Sequence, residues 1–213
     1  MSKRQQLKEQ RERQEQISRL GWGLGILVIV LVLGYIIWSS FTAPAAPTPN
    51  ALTPGGPTVT LPAGTALLGE AMTVDPDRSH IADENSDPGT YNSNPPTSGH
   101  HYPTWLDAGF YDTNTYKYPQ GHLVHNLEHG YIIFWYNCKK LSDSQCSDIK
   151  SQIKAVMGAA DNFKVIAYPW DSVDYPVVLT SWGYRLQMTT FDAATAAAFI
   201  QQHRNRSPEP QGP

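Results

Sequence analysis

The sequence predicts an α+β domain: a mostly antiparallel sheet with helices on one face and a long wrapping loop, preceded by one transmembrane helix. Three observations support this fold class. Four short segments are rich in β-branched and aromatic residues, which is typical of strands. Two segments place apolar residues at helical spacing, in the overall order β-α-β-β-β-α. One uncharged apolar run lies near the N-terminus.

The apolar run extends from Leu20 to Trp38, about 19 residues, which is enough to cross a hydrocarbon core of roughly 30 Å. Six basic residues precede it, namely Lys3, Arg4, Lys8, Arg11, Arg13 and Arg19. By the positive-inside rule this pattern predicts a single-pass protein of the cell membrane, with a cytoplasmic N-terminus and an extracytoplasmic C-terminal domain. A cleaved signal peptide is the alternative, because small residues follow at Thr42–Ala45.

The chain divides by composition into five parts. They are a cytoplasmic basic segment (1–19), a transmembrane helix (20–38), a Pro/Ala/Gly-rich linker (39–63), an extracytoplasmic α+β domain (64–209) and a tail (210–213). The net charge is -3, and the part after the basic segment is acidic. This charge excludes nucleic acid as an expected partner, because phosphate binding needs clustered Lys and Arg. Membrane lipid and subunits of a membrane complex are the expected partners.

The two predicted helices have recognisable starts. Ser142 can cap a helix over Ser142–Met157, and Asp192 can cap an Ala-rich helix over Asp192–His203. The predicted strands are Tyr131–Tyr136, Phe163–Tyr168, Val177–Ser181 and Tyr184–Met188, of which the last two could form one strand bent at Gly183.

The two cysteines, Cys138 and Cys146, lie close together in sequence. Their spacing is wider than that of a metal or redox CxxC motif. Outside the cytoplasm we expect them to form a local disulfide.

Six of the seven histidines lie in one stretch, at His80, His100, His101, His122, His125 and His129. Most of it belongs to a Pro-, Gly- and Asn-rich segment, 72–120, whose length and aromatic content predict a loop that builds a site. In a strand, His125 and His129 would stand about 13 Å apart, too far to share one metal ion. In a helical turn they would be about 6 Å apart on one face, and Gly130 is a natural stop for that turn.

The cluster predicts a metal site for copper or zinc, because neutral imidazole binds both ions well. The expected ligands are His101, His125 and His129, with His80 or Glu128 completing the shell. Met188 could add a soft ligand to copper, although a core position is favoured for it.

Two other functions remain open. The histidines could be purely structural, in an accessory subunit of a membrane complex that binds no metal. The string His125-x-x-Glu128-His129 also matches the H-x-x-E-H pattern of some zinc hydrolases, in which Glu128 would be the base. Such motifs lie inside long helices, whereas Gly130 would end this one. The sequence has no Gly-rich phosphate loop, G-x-S-x-G motif or cysteine nucleophile, so it favours a binding protein over an enzyme.

Two strings carry a family resemblance: Asn94-Pro95-Pro96-Thr97-Ser98-Gly99-His100-His101-Tyr102-Pro103 and Val124-His125-Asn126-Leu127-Glu128-His129-Gly130. Together, behind a single apolar span, they resemble the bacterial membrane-anchored domain-of-unknown-function family 3105. The resemblance covers about 80–209 and implies an extracytoplasmic domain without an assigned activity. It implies histidines at positions 80, 101, 125 and 129 and an acid at position 128, with Pro more usual at position 100, so it does not favour His100 as a ligand.

Overall fold

The structure is a computed structural model that describes residues 66–213. Within this range no helix combines the length and the apolar character needed to cross a bilayer. The predicted basic segment, transmembrane helix and linker lie outside the described residues, so their predictions stand untested.

The described residues form a single six-stranded sheet and three α-helices. The strands are Glu70–Ala71 (β1), Gly109–Phe110 (β2), Ile132–Tyr136 (β3), Val165–Pro169 (β4), Val177–Ser181 (β5) and Tyr184–Met188 (β6). The helices are Pro119–Glu128 (α1), Asp143–Ala159 (α2) and Ala193–His203 (α3). The strand order is β1-β6-β5-β3-β4-β2.

The fold is α+β as predicted, but the sheet is mixed, so the prediction of a mostly antiparallel sheet was wrong. β4 runs parallel to both β3 and β2, whereas β5 is antiparallel to β3 and to β6. The reason is the helix α2 between β3 and β4. A helical crossover carries the chain back to the end of the sheet at which the first strand began, so that the next strand runs parallel to the first.

The two strands before α3 form a hairpin and are not one bent strand. Ser181 pairs with Tyr184, and the two-residue turn contains Gly183 at φ 71°. A positive φ is favourable for glycine, so this residue permits the tight reversal between β5 and β6.

Helices cover both faces of the sheet, which corrects the prediction that they lie on one face. Side chains alternate along β3, so Phe134 faces the core formed with α2 and α3, while Trp135 faces the other side. On that second side the sheet packs against α1, through Leu123 and Leu127, and against the long loop. The loop therefore lies where α1 presents its histidines.

The start of α2 is fixed by two local features. Ser142 forms a capping box with Gln145, as the predicted N-cap should. Just before it, Cys138 and Cys146 form the predicted disulfide, with their Cα atoms 5.3 Å apart. The bridge joins the end of β3 to the first turns of α2.

Candidate metal centre

The helix α1 is ten residues long, where the sequence predicted only one turn around His125 and His129. It begins with Pro119, whose fixed φ and missing N–H suit the first position of a helix. It ends at Glu128, followed by His129 as C-cap and Gly130 at φ 85°. A Cβ atom at Gly130 would lie 2.7 Å from Cα of Asn205, so the following chain packs closely against this end of the helix.

The long loop is fastened to α1 through its two histidine-bearing stretches. His80 and His101 form a short parallel pairing, in which the Ile81 N–H donates to the His101 carbonyl at 2.7 Å. The Tyr102 N–H donates to the Gly121 carbonyl at 3.1 Å, and its buried ring lies directly against Gly121. This close approach sets His101 beside the last turn of α1.

Four of the five predicted ligands come together in one group. One ligand atom from each of His80, His101, His125 and Glu128 lies within 4.8 Å of the others, so the group could hold a metal ion. His101, His125 and Glu128 are buried, whereas His80 is exposed. Three imidazoles and a carboxylate are a donor set that suits zinc, copper and related divalent transition metals.

Backbone carbonyls fix the orientation of the two buried rings in this group. Nδ1 of His101 lies 2.9 Å from the carbonyl of Gly99, and Nδ1 of His125 lies 2.7 Å from that of Tyr102. A carbonyl oxygen only accepts hydrogen bonds, so each Nδ1 must carry the proton. In the neutral ring Nε2 then holds the lone pair. Both Nε2 atoms are therefore prepared as metal ligands, with the orientation that supporting hydrogen bonds give to ligating histidines.

Burial favours the neutral form of three imidazoles at the site, those of His101, His125 and His129. It lowers the pKa of His125 to about 4, with a smaller opposing effect from the hydrogen bond to Tyr102. Burial likewise lowers the pKa of His101, which the Gly99 carbonyl and Glu128 partly offset, and the pKa of His129. Neutral rings are the form that binds metal, so near pH 7 these side chains need not lose a proton first.

The carboxylate of Glu128 lies between a histidine and an arginine. Its Oε1 accepts a hydrogen bond from Arg78 at 3.1 Å, and its Oε2 lies 3.0 Å from Nε2 of His101. The geometry at Oε2 is not that of a hydrogen bond, since Nε2 of His101 is buried with no aligned partner in the described part of the chain. Nε2 of His101 is thus a buried nitrogen without a hydrogen-bond partner beside a carboxylate, and a cation bound by both groups would compensate for this.

His129, the fifth predicted ligand, stands beside the group of four and is not a member of it. Its Nε2 lies 3.2 Å from Nε2 of His125 and 3.7 Å from Oε2 of Glu209. Trp105 packs edge-on against the rings of His125 and His129, with its centroid 5.3 Å from each of theirs. Gly212 packs over His129, since a Cβ atom there would lie 2.8 Å from Nδ1.

Comparison with known families supports the resemblance carried by the two histidine strings. The model of a family described as Protein of unknown function (DUF3105) matches residues 83–213, more than half of the chain. The chain belongs to the DUF3105 family. No curated protein and no solved structure matches it. The family match contains His101, His125, Glu128 and His129, whereas His80 lies three positions before it.

The remaining histidines of this DUF3105 domain lie outside the group. His100 stacks on Tyr91 and approaches the Pro88 carbonyl. His122 contacts Thr104, and His203 donates to the Leu68 carbonyl at 2.8 Å. Met188 belongs to the core on the opposite face of the sheet, the position favoured for it from sequence.

Sequence reasoning missed several residues around the DUF3105 site. Arg78, Trp105, Lys164 and Glu209 all contact the ligand group or the histidines next to it. Trp105 follows His101 closely in the chain, which is a weak signal. Glu209 carried none, because it lies 81 residues after Glu128 and belongs to no motif.

Proposed function

We propose that this protein binds a divalent transition metal ion, zinc or copper(II), through His80, His101, His125 and Glu128. The observation that carries the proposal is the convergence of three imidazoles and a carboxylate, with the buried Nε2 of His101 left without a hydrogen-bond partner in the described part of the chain. Polar groups that only needed to be satisfied inside a core would pair donors with acceptors. Here the buried Nε2 of His101 has no hydrogen-bond partner among the described residues, and a bound cation would satisfy it.

The donor set also narrows the choice of ion. Met188 would be the soft ligand expected for copper(I), and it packs in the core on the other face of the sheet. The group that remains offers nitrogen and oxygen only, which favours zinc or copper(II).

A zinc hydrolase is less well supported. Its general base would have to be Glu128, whose carboxylate is already engaged by Arg78 and faces His101. The helix that carries the motif ends at Glu128, unlike the long helices of such enzymes. We therefore assign Glu128 to holding the ion.

A metal-free accessory subunit has one observation in its favour. His125 donates to the Tyr102 carbonyl and so helps to hold the long loop on α1 whether or not an ion is present. Nε2 of the same ring is hydrogen-bonded to Nε2 of His129 at 3.2 Å, so His125 has partners at both nitrogens without an ion. The unpartnered Nε2 of His101 has no such explanation.

We further propose that the domain is held at the cell membrane, outside the cytoplasm, by the apolar segment 20–38. The basic residues before that segment and the disulfide support this location. In that setting a bound ion would serve metal handling or the assembly of a membrane complex.

The deciding experiment is an inventory of metals in the full-length protein, purified in detergent. We expect about one zinc or copper ion per chain after equilibrium dialysis against either metal, as for a single four-ligand site. The variant His101→Ala should lose it and His203→Ala should keep it. If wild-type protein takes up neither ion, the proposal is wrong and the accessory-subunit function replaces it.

A further inference from the structure

We propose that the metal ion has a second, outer position formed by His129, Glu209 and the shared ligand His125, and that it reaches the four-ligand group through this position. The inference rests on the proposed function and adds a route for the ion. It assigns a role to Glu209, near the C-terminal end of the described chain, and explains why His129 stands outside the group of four.

The distances at His129 fit a metal position. Two nitrogens that share a tetrahedral ion at about 2.0–2.1 Å stand about 3.3 Å apart. Nε2 of His125 and Nε2 of His129 are 3.2 Å apart, joined by a hydrogen bond that an entering ion would replace with little movement of the rings. Oε2 of Glu209 lies 3.7 Å from the same His129 atom, and its side chain is 56% exposed, so a small rotation can bring it onto an ion.

His125 can serve only one of the two positions at a time. Its Nδ1 donates to the Tyr102 carbonyl, so Nε2 holds the one lone pair of the ring. A single lone pair binds one ion, which makes the two positions alternatives. An ion that moves inward exchanges His129 and Glu209 for His80, His101 and Glu128 while His125 remains the common ligand.

The two carboxylates define which position is inner and which is outer. The side chain of Glu128 is 4% exposed and that of Glu209 is 56% exposed. The two residues are tied together, because the Glu209 N–H donates to the Glu128 carbonyl at 3.0 Å. The ammonium of Lys164 also holds the carbonyls of His129 and Pro210 at 2.9 Å each. Glu209 is thus kept at the solvent side of His129.

Rates of zinc uptake and release test this route. Full-length protein would be mixed with Zn²⁺ and then with excess EDTA in a stopped-flow instrument, with tryptophan fluorescence as the signal because Trp105 touches both His125 and His129. We expect Glu209→Gln to slow uptake and release alike, each by about tenfold, since a step used in both directions is impaired in both. Glu70→Gln is the control, because Glu70 is an exposed carboxylate that pairs with Arg185 at the edge of the sheet.

The outcomes separate the route from the site itself. If Glu209 were only one more ligand of the bound ion, Glu209→Gln would speed up release, and the inference would be wrong. Rates equal to those of Glu70→Gln would overturn it as well. His129→Gln should slow both rates in the same way. Wild-type protein that binds no Zn²⁺ would refute the proposed function. Wild-type protein that binds Zn²⁺, with rates that Glu209→Gln leaves unchanged, would refute only the route.

Discussion

Nε2 of His101 lies 3.0 Å from Oε2 of Glu128 inside the protein, although Nδ1 of the same ring carries the proton that the Gly99 carbonyl accepts. The neutral ring therefore has its unprotonated nitrogen next to a carboxylate, without a hydrogen-bond partner among the described residues. Arg78 neutralises part of that charge from the other oxygen, but it does not lie between the two groups. A proton or a metal ion between the imidazole and the carboxylate would give the buried nitrogen a partner. Burial lowers the pKa of His101, which disfavours the protonated ring.

Metal should stabilise the folded protein, because an ion that binds only the folded state shifts the unfolding equilibrium. At a free concentration one hundred times Kd, the free energy of unfolding should rise by about 2.7 kcal/mol. Denaturant unfolding with Zn²⁺ or with EDTA measures this difference. His101→Ala, His125→Ala and Glu128→Gln should each abolish most of it, whereas His203→Ala should retain it. Histidine variants that lower stability equally with and without metal would instead indicate a structural cluster.

Gly121→Ala should destabilise the protein by about 1–3 kcal/mol, as overpacking usually does. The new methyl group would overlap the buried ring of Tyr102, whose Cζ would lie 2.8 Å away. Gly158→Ala is the matched control, since Gly158 is an exposed position in α2 with nothing within 4 Å of the added carbon. That control should be neutral or stabilising by up to about 1 kcal/mol. Equal denaturant midpoints for the two variants would contradict the packing argument.

Stability should fall on acidification through the range from about pH 6.5 to pH 4, in part because of His203. Burial lowers the pKa of this side chain to about 4 in the folded protein, whereas an unfolded histidine titrates near 6.5. In that window the unfolded chain binds the extra proton, so acid favours unfolding; above it His203 adds no pH dependence. The contribution is at most about 3 kcal/mol at 1.36 kcal/mol per pH unit. His203→Gln should give a shallower curve of unfolding free energy against pH. A curve parallel to that of the wild type would refute the contribution of His203.

Replacing both Cys138 and Cys146 with serine should cost about 2–3 kcal/mol, because the bridge closes a short loop in the unfolded chain. Reduction with dithiothreitol should lower the stability of the wild-type protein by a similar amount and leave the double variant unchanged. Non-reducing peptide mapping of protein from its native compartment should show the two cysteines linked. Two alkylatable thiols there would contradict the extracytoplasmic location.

A reporter fused after Pro213 should be active only on the extracytoplasmic side of the membrane, since the basic residues before Leu20 predict a cytoplasmic N-terminus. Reversing that charge bias, by changing Arg13 and Arg19 to Glu, should reduce the fraction of correctly oriented protein. Activity of the wild-type fusion in the cytoplasm would overturn the predicted topology.

The parts of the fold that could be predicted are those with local signals. Val177–Ser181 and Tyr184–Met188 are strands with the predicted bounds, and Ser142 and Asp192 cap helices as expected. The pairing directions and the two-sided packing depended on which segments meet across the sheet, which periodicity does not encode. The two-residue strands β1 and β2 were missed because they are too short to show a pattern.

The candidate site divides in the same way. His125 and Glu128 could be placed together from their spacing on one helix, whereas His101 and His80 were expected from the histidine-bearing long loop and from the family resemblance. Arg78 and Glu209 approach from distant parts of the chain, and no regular sequence spacing indicates that they belong to the site. The ring positions also depend on carbonyl contacts at Gly99 and Tyr102, which only the folded loop provides.

The pairing of His80 with His101 bears on when the proposed ion would be acquired. It brings together positions 21 residues apart, and their rings reach His125 only after the loop has closed onto α1. The ligands are therefore scattered in the nascent chain and meet late, once much of the entropy of loop closure has been overcome. A chain exported before it folds would bind its ion in the compartment to which it is exported. The metal content of that compartment, and not that of the cytoplasm, would then decide which ion it carries.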